Sequence, residues 1–215
     1  MIPVWGIGYY IKVGDEMSQE KQDYKDDTRA RIVDAAWELF HEKGYEKTTV
    51  NDIIKKANTS KGGFYYYFTA KDELLNSLYA IWDGEYKKFY DNMDKSLDCY
   101  VQLQQIAQYA YYYTETNIAP ELLGRLYQAQ LLDKRQDCFM NPDRYYVKLV
   151  KNIVEEGQKR HEIRSDLTVE EIAHMVLVTD RGILMDWCIR EGKFSLGYYG
   201  SRDFELYMKF LREGL

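Results

Sequence analysis

Four helix-boundary signals fall within residues 44–74 and allow only short helices joined by tight turns. Gly44 follows a segment of helical periodicity, and glycine easily adopts the left-handed conformation that ends a helix. Thr49 and Ser60 each offer a hydroxyl that can accept a hydrogen bond from a free amide of a first helical turn, and Thr69 with Asp72 repeats the capping pattern. The segment therefore predicts two short helices and the start of a third.

The rest of the chain shows the same helical periodicity and no convincing strand alternation. Apolar residues at helical spacing, caps and prolines predict helices over residues 28–43, 49–58, 61–68, 71–91, 97–116, 120–132, 143–160, 168–190 and 201–212. Thr168 with Glu171 is the predicted cap of the helix over residues 168–190. The fold class is therefore all-α, with about nine or ten helices. The loop 192–200, rich in glycine, serine and tyrosine, is interpreted as mobile.

Charge is distributed unevenly along the chain. Five lysines (47, 55, 56, 61 and 71) face a single acid, Asp52, between residues 47 and 71, which gives a local charge of +4 in a chain whose total is −6. A basic patch on an acidic body is typical of a protein that touches DNA with one face. A solvated helix face is the alternative explanation of the lysines alone. Short, closely joined helices beside them favour the major groove of DNA.

The capped segment resembles the amino-terminal domain of TetR-family transcriptional regulators. The resemblance rests on Gly44-Tyr45, Thr48-Thr49-Val50, Asp52-Ile53, Ala57-Asn58, Ser60-Lys61-Gly62, Tyr65-Tyr66-Tyr67-Phe68 and Lys71-Asp72-Glu73-Leu74. Asn58 is predicted to end the first short helix in the left-handed conformation, which asparagine tolerates, where the family usually has glycine. Tyr67 stands where the family often has histidine. The resemblance implies a three-helix helix-turn-helix DNA-binding domain over residues 24–71 and an effector-binding and dimerisation domain over residues 72–215.

Candidate DNA contacts follow from this segment. Gly62 and Gly63 let the backbone approach DNA, Lys61 can reach a guanine edge or a phosphate, and exposed Asn51 can touch a base or a backbone oxygen. By the resemblance, Tyr67 and Lys71 are phosphate contacts, as is the cap region around Thr49. The full set of predicted DNA-binding residues is Thr49, Asn51, Lys61, Gly62, Gly63, Tyr65, Tyr66, Tyr67 and Lys71.

The larger domain is rich in aromatic residues, which can enclose an apolar cavity with a few polar tips. In the TetR family such a cavity accepts a small effector, and the candidates here are Trp82, Tyr86, Tyr109, Tyr112, Tyr113, Tyr127 and Trp187. Aromatic residues at these spacings are also typical of an ordinary core. Rings together with the acids Glu115 and Asp180 would suit a lipophilic cation if those acids point inward.

A resemblance at Glu155-Glu156-Gly157 and Ile163-Arg164-Ser165-Asp166-Leu167 implies a homodimer paired through Asp143–Arg160 and Thr168–Arg190. A broad apolar surface is predicted there from Val169, Ile172, Ala173, Val176, Leu177, Ile183 and Leu184, although the same residues can face the core. The expected function is a repressor released from a palindromic DNA operator by a small-molecule effector.

An enzyme and a ligand-binding or interaction protein without operator binding are the alternatives. No nucleophile, nucleotide-binding or metal motif accompanies the three separated histidines, so no catalytic residue, cofactor or metal is predicted. The cysteine spacing and the lack of a long apolar run favour a cytoplasmic protein without a membrane span. Residues 1–23 are interpreted as a disordered or mis-assigned extension, with residues 1–16 arising from an upstream start codon.

Overall fold

The computed structural model describes residues 19–132 and 141–212, with residues 19–27 described by their backbone alone. Its α-helices are α1 (Gln19–Lys43), α2 (Val50–Lys56), α3 (Lys61–Tyr67), α4 (Ser77–Asp91), α5 (Cys99–Asn117), α6 (Pro120–Leu132), α7 (Tyr145–Lys159), α8 (Val169–Ile189) and α9 (Ser201–Met208). Short 3₁₀ helices cover Lys71–Asn76 and Lys209–Leu211, and a π-helical turn covers Leu196–Gly200. The all-α prediction is confirmed. Residues 1–18, with the predicted upstream start, lie outside the described part.

Two compact units divide the chain, one ending at Ser77 and the other beginning at Leu78. In the first unit α1 packs against α2 and α3, and its core is formed by fully buried Ile32, Ala36, Ile53 and Phe64. Burying an isoleucine or phenylalanine side chain stabilises the unit by about 1.5–3 kcal/mol relative to leaving it exposed. This core fixes which faces of α2 and α3 remain outside.

Left-handed residues follow the first two helices of this unit. Gly44 has φ +84° after α1, and Asn58 has φ +49° after α2, as the sequence predicts for both. Asparagine tolerates this region better than most residues other than glycine. The turn between α2 and α3 therefore keeps its geometry although the usual glycine is replaced.

The predicted cap of the fourth helix by Thr69 and Asp72 is wrong in its partner. The amide and hydroxyl of Thr69 both donate to the Glu73 carboxylate, at 2.6 and 3.0 Å. The Asp72 carboxylate instead accepts from the Tyr45 hydroxyl. A 3₁₀ helix over Lys71–Asn76 follows, and α4 begins only at Ser77.

The second unit is built around α5, which packs against α7, α9 and the π-helical turn, while α8 packs against α6, α7 and α9. Within the loop 192–200, which is predicted to be mobile, residues Leu196–Gly200 form a π-helical turn whose Leu196, Gly197 and Gly200 are buried. Glu115 on α5 holds it by accepting from the Ser195 hydroxyl (3.1 Å) and the Gly197 amide (2.7 Å). Within the described residues, none of the helices is apolar over a length sufficient to cross a membrane.

Candidate DNA-binding surface and candidate effector site

Helix α3 presents an aromatic outer face. The Ser60 hydroxyl accepts from the Gly63 amide at 2.9 Å and so starts the helix, while Phe64 and Phe68 are buried beneath it. Tyr66 is 65% exposed and Tyr65 is 47% exposed, so both rings are available to a ligand. The rest of the predicted set lies close along the chain: Lys61, Asn51 and Thr49 are exposed, and Tyr67 is half-buried with its ring edge-on to Tyr66 at 4.8 Å.

The two glycines of α3 differ in what the fold requires of them. A Cβ added to Gly63 would lie 2.5 Å from the Thr59 hydroxyl, so any larger residue there forces the Thr59 side chain to move. A Cβ added to Gly62 would meet only the Ser60 hydroxyl at an ordinary 3.8 Å. Because glycine costs helix stability relative to alanine, Gly62 needs a reason outside the fold. Close approach to another molecule supplies one.

The predicted lysine patch is smaller than the sequence count suggests. Lys56 pairs with Glu38 and Glu42 of α1 at 2.9 and 2.8 Å, and these carboxylates cancel its charge locally. Exposed Lys47, Lys55 and Lys61 have no ion pair with any residue that the structure describes. They are therefore the better candidates for contacts to phosphate.

Lys71, a predicted phosphate contact, has two partners inside its own unit. Its ammonium donates to the carbonyls of Tyr45 (2.8 Å) and Thr48 (2.9 Å) and lies 3.9 Å from the centre of the Tyr45 ring. These bonds tie the loop before α2 to the segment that leads into α4. The structure thus favours a positioning role for Lys71, a role that sequence reasoning missed because its partners are backbone atoms 23 and 26 residues away.

Helix α2 begins with a complete capping box. The Thr49 hydroxyl accepts from the Asp52 amide at 3.2 Å, and the Thr49 amide donates to the Asp52 carboxylate at 2.8 Å. The hydrogen bond from Lys43, at 2.7 Å, and those from Thr49 hold the pKa of Asp52 well below its usual range. This cap leaves Asn51 exposed on the first turn.

The seven predicted effector residues differ in burial. Trp82, Tyr86, Tyr127 and Trp187 are buried core residues, Tyr109 and Tyr113 are half-buried, and Tyr112 is 51% exposed. Several have polar partners: the Trp82 indole donates to the Thr114 hydroxyl (3.2 Å), and the Trp187 indole to the Phe194 carbonyl (3.2 Å). Bonds of this kind are also what a plain core requires.

A buried carboxylate lies at the centre of the second unit. Asp180 on α8 accepts from the hydroxyl of Tyr111 on α5 at 2.5 Å and from that of Tyr146 on α7. Tyr86 on α4 stacks on Tyr146 with ring centres 4.2 Å apart. Burial raises the pKa of Asp180 to about 6, against the lowering effect of the two phenol bonds. Of the two acids suggested for the interior, Asp180 points inward and Glu115 serves the π-helical turn.

The carboxylate of Asp83 on α4 caps the amino-terminal end of α7. This carboxylate pairs with the Arg144 guanidinium at 2.6 Å and accepts from the amides of Tyr145 (3.1 Å) and Tyr146 (3.4 Å). The Arg144 guanidinium also lies 4.7 Å from the centre of the Tyr79 ring. The sequence gives no local signal for this cap because its anion comes from another helix.

The apolar surface predicted on α8 is wrong for four of its seven members. Ile172, Ala173, Val176 and Ile183 are buried in the unit, and Val169, Leu177 and Leu184 are half-buried. The exposed apolar residues of α8 are instead Met175, Val178, Met185 and Ile189, 37–72% exposed. With exposed Gly182 they follow a spacing of three and four residues, which forms one stripe along a helix. We call these five residues the α8 stripe.

The helix-turn-helix of α2 and α3, with its exposed aromatic face, defines a class of DNA-binding proteins. The family described as bacterial regulatory proteins, tetR family, matches residues 32–78, and the family described as YsiA-like protein, C-terminal region, matches residues 129–209. The chain belongs to the TetR family of transcriptional regulators, which bind DNA.

Relatives match along most of the chain. The chain is 26% identical over 178 residues to the uncharacterized HTH-type transcriptional regulator YfiR of Bacillus subtilis (strain 168), covering 77% of this chain and 82% of that protein. It is 24% identical over 185 residues to the fatty acid metabolism regulator protein of the same organism, covering 84% and 91%. The crystal structure of FadR from Bacillus subtilis in complex with stearoyl-CoA superposes with a TM-score of 0.66 at 21% identity, covering 86% of this chain and all of that one.

Proposed function

We propose that this protein is a dimeric repressor that binds a palindromic operator through α3 and is released by a small effector bound in the second unit. The observation that carries the proposal is the outer face of α3, where Tyr65, Tyr66 and Lys61 surround a glycine that the fold does not need. Tyrosine rings offer apolar contact to a thymine methyl, and lysine offers contact to phosphate or guanine. The protein acts in this proposal by binding in the cytoplasm and not as an enzyme.

Dimer formation is assigned to the α8 stripe. Exposed apolar surface that follows one helical stripe is typical of a helix-to-helix interface. The outward residues of α7, Lys148, Asn152, Glu155 and Lys159, are polar and fit a rim. We therefore expect Val178→Glu to convert the dimer to monomer in sedimentation velocity, whereas Leu206→Glu, at an exposed leucine of α9, leaves it dimeric. Equal behaviour of the two variants would contradict the stripe assignment.

The test of operator binding begins with selection of a duplex site from a random library by the wild-type protein. Fluorescence anisotropy then compares Lys61→Ala with Lys193→Ala, which removes the same charge from an exposed site in the second unit. We expect Lys61→Ala to weaken binding at least tenfold and to lower the salt slope by about one. Lys193→Ala should behave as wild type. Failure to select any site would favour a ligand-binding protein without an operator.

Gly62→Ala separates contact from folding. It should stabilise the protein by up to about 0.5–1 kcal/mol, because alanine is the better helix former, yet weaken operator binding. Thermal unfolding and anisotropy on one preparation measure both effects. Unchanged operator affinity in this variant would remove close backbone approach from the proposal.

A further inference from the structure

A groove of about 500 Å³ opens on the second unit. It is lined by the second half of α4, the turn after it, and α5, and its side chains include Glu85, Lys88, Phe89, Asp94 and Tyr109. The volume falls in the range of sites for drug-sized ligands. Tyr109 is the one predicted effector residue that faces this groove.

The groove contains a stack of flat rings. Phe89 and Tyr109 lie face to face with centres 4.4 Å apart and planes 14° apart, and Tyr113 continues the row at 6.3 Å from Tyr109. Phe89 and Tyr109 are half-buried, so part of each ring still meets solvent. A flat aromatic ligand can extend such a row by offset stacking.

The charges of the groove are mainly negative. Glu85 accepts from the Tyr109 hydroxyl at 2.7 Å, and its side chain is only 20% exposed. Asp94 is fixed by the Ser96 amide (2.9 Å) and hydroxyl (2.7 Å). Lys88 supplies the positive charge, pairing with Glu85 at 2.7 Å, but its side chain is 59% exposed. A surface lysine holds such a pair weakly, and a bound cation can replace it.

Building on the proposed regulator function, we propose that the effector is a flat aromatic cation that stacks on the Phe89–Tyr109 pair and takes the place of Lys88 beside Glu85. The ring faces attract positive charge and the carboxylate reinforces that attraction. The same carboxylates oppose an anionic ligand such as an acyl-CoA, whose phosphates would need cationic partners. Charge thus sets the ligand class, and the rings set its shape.

The experiment uses two dyes that share a xanthene ring, cationic rhodamine 6G and anionic fluorescein, with the full-length protein. Dye anisotropy gives each dissociation constant. We expect wild-type protein to bind the cation at least tenfold more tightly than the anion. Glu85→Gln, which keeps an acceptor for Tyr109, should weaken cation binding about tenfold. Lys88→Gln should strengthen it a few-fold, because it removes the competing charge.

Lys87→Gln is the matched control. Lys87 is the neighbouring residue on α4, carries the same charge and pairs with Asp91 outside the groove at 2.6 Å. It should leave cation binding unchanged, so strengthening confined to Lys88→Gln cannot be a general charge effect or damage to the fold. Equal binding of both dyes, or an effect of Lys87→Gln equal to that of Lys88→Gln, would overturn the inference.

Operator affinity is measured beside dye binding, with and without saturating rhodamine 6G. Release of the operator by the dye is expected of an effector. Dye binding with unchanged operator affinity would overturn the assignment of the groove as the effector site. Loss of dye binding with intact operator binding defeats only this inference, whereas absence of any operator complex defeats the proposed function itself.

Discussion

The two units hold their polar side chains in different ways. In the amino-terminal unit the caps are local: Thr49 bonds Asp52, Ser60 bonds Gly63, and Thr69 bonds Glu73. In the second unit the central bonds span long separations, such as the 69 residues between Tyr111 and Asp180. Local bonds leave the outer face of α3 exposed for a partner, whereas long-range bonds keep the aromatic residues of the second unit engaged with one another.

The long-range bonds of the second unit predict that stability depends much more on a buried polar group than on an exposed one. Asp180→Ala would leave two buried phenols without their acceptor, so we expect a loss of about 2–5 kcal/mol of unfolding free energy. Asp186→Ala on the same helix removes an exposed acid paired with Arg190 at 2.9 Å and should cost below about 0.5 kcal/mol. Urea denaturation measures both. Similar losses in the two variants would show that the buried Asp180 carboxylate contributes no more to stability than an exposed acid.

The Asp180 carboxyl also predicts how the free energy of unfolding depends on pH. Its folded pKa of about 6 lies above the ordinary 3.8, so the folded state binds the proton more tightly. The resulting stability is present below the ordinary pKa and is lost as the pH rises through about 6. Between pH 4.5 and pH 7 the wild type should therefore lose about 2 kcal/mol relative to Asp180→Asn. Parallel pH profiles of the two proteins would contradict this.

Lys71 tests two of the hydrogen bonds in the amino-terminal unit that do join residues distant along the chain, as the Tyr45–Asp72 bond also does. Lys71→Met removes two hydrogen bonds to carbonyls, so we expect a loss of about 1–3 kcal/mol of stability. Operator binding should weaken through the misplaced loop before α2, with the salt slope unchanged. A slope lower by about one would instead support the phosphate contact that the family resemblance implies.

The two threonine capping boxes offer a matched pair, one in each unit. Thr49→Ala and Thr168→Ala each remove a hydroxyl that accepts from the amide three residues on, at 3.2 Å in both. Each should cost about 1 kcal/mol. Only Thr49→Ala should also weaken operator binding, measured by anisotropy at a temperature where both variants are folded. Equal operator affinity of the two variants would separate this cap from DNA binding.

Sequence reasoning succeeded where the determining contacts are local. The caps at Thr49, Ser60 and Thr168, the left-handed Asn58 and the bounds of α6 follow from neighbouring residues, and the structure agrees with them. The pattern on α8 was ambiguous because a helix that packs on several sides has apolar residues all round. The three-dimensional structure was needed to distinguish the buried residues of α8 from the exposed residues of the α8 stripe.

The candidate sites likewise divide into features that are set by neighbouring residues and features that are set by contacts between distant segments. The face of α3 is predictable because Phe64 and Phe68 fix its inward side at helical spacing. The partners of Lys71, the cap by Asp83 and the ring row at Tyr109 depend on contacts between distant segments, which one sequence does not specify. The role of Gly62 against Gly63 also needed the position of Thr59.

The cap that Asp83 provides for α7 has a consequence for how α4 can shift. Separating α4 from α7 would remove the hydrogen-bond acceptor of two amides and of a guanidinium together, because the single Asp83 carboxylate accepts from all three. A partial displacement of α4 would therefore gain little conformational freedom while it lost all three hydrogen bonds. We expect intermediate positions of α4 to be rarely populated. We therefore expect α4 to leave α7 by losing all three of these contacts together, the kind of all-or-none step on which conformational switches depend.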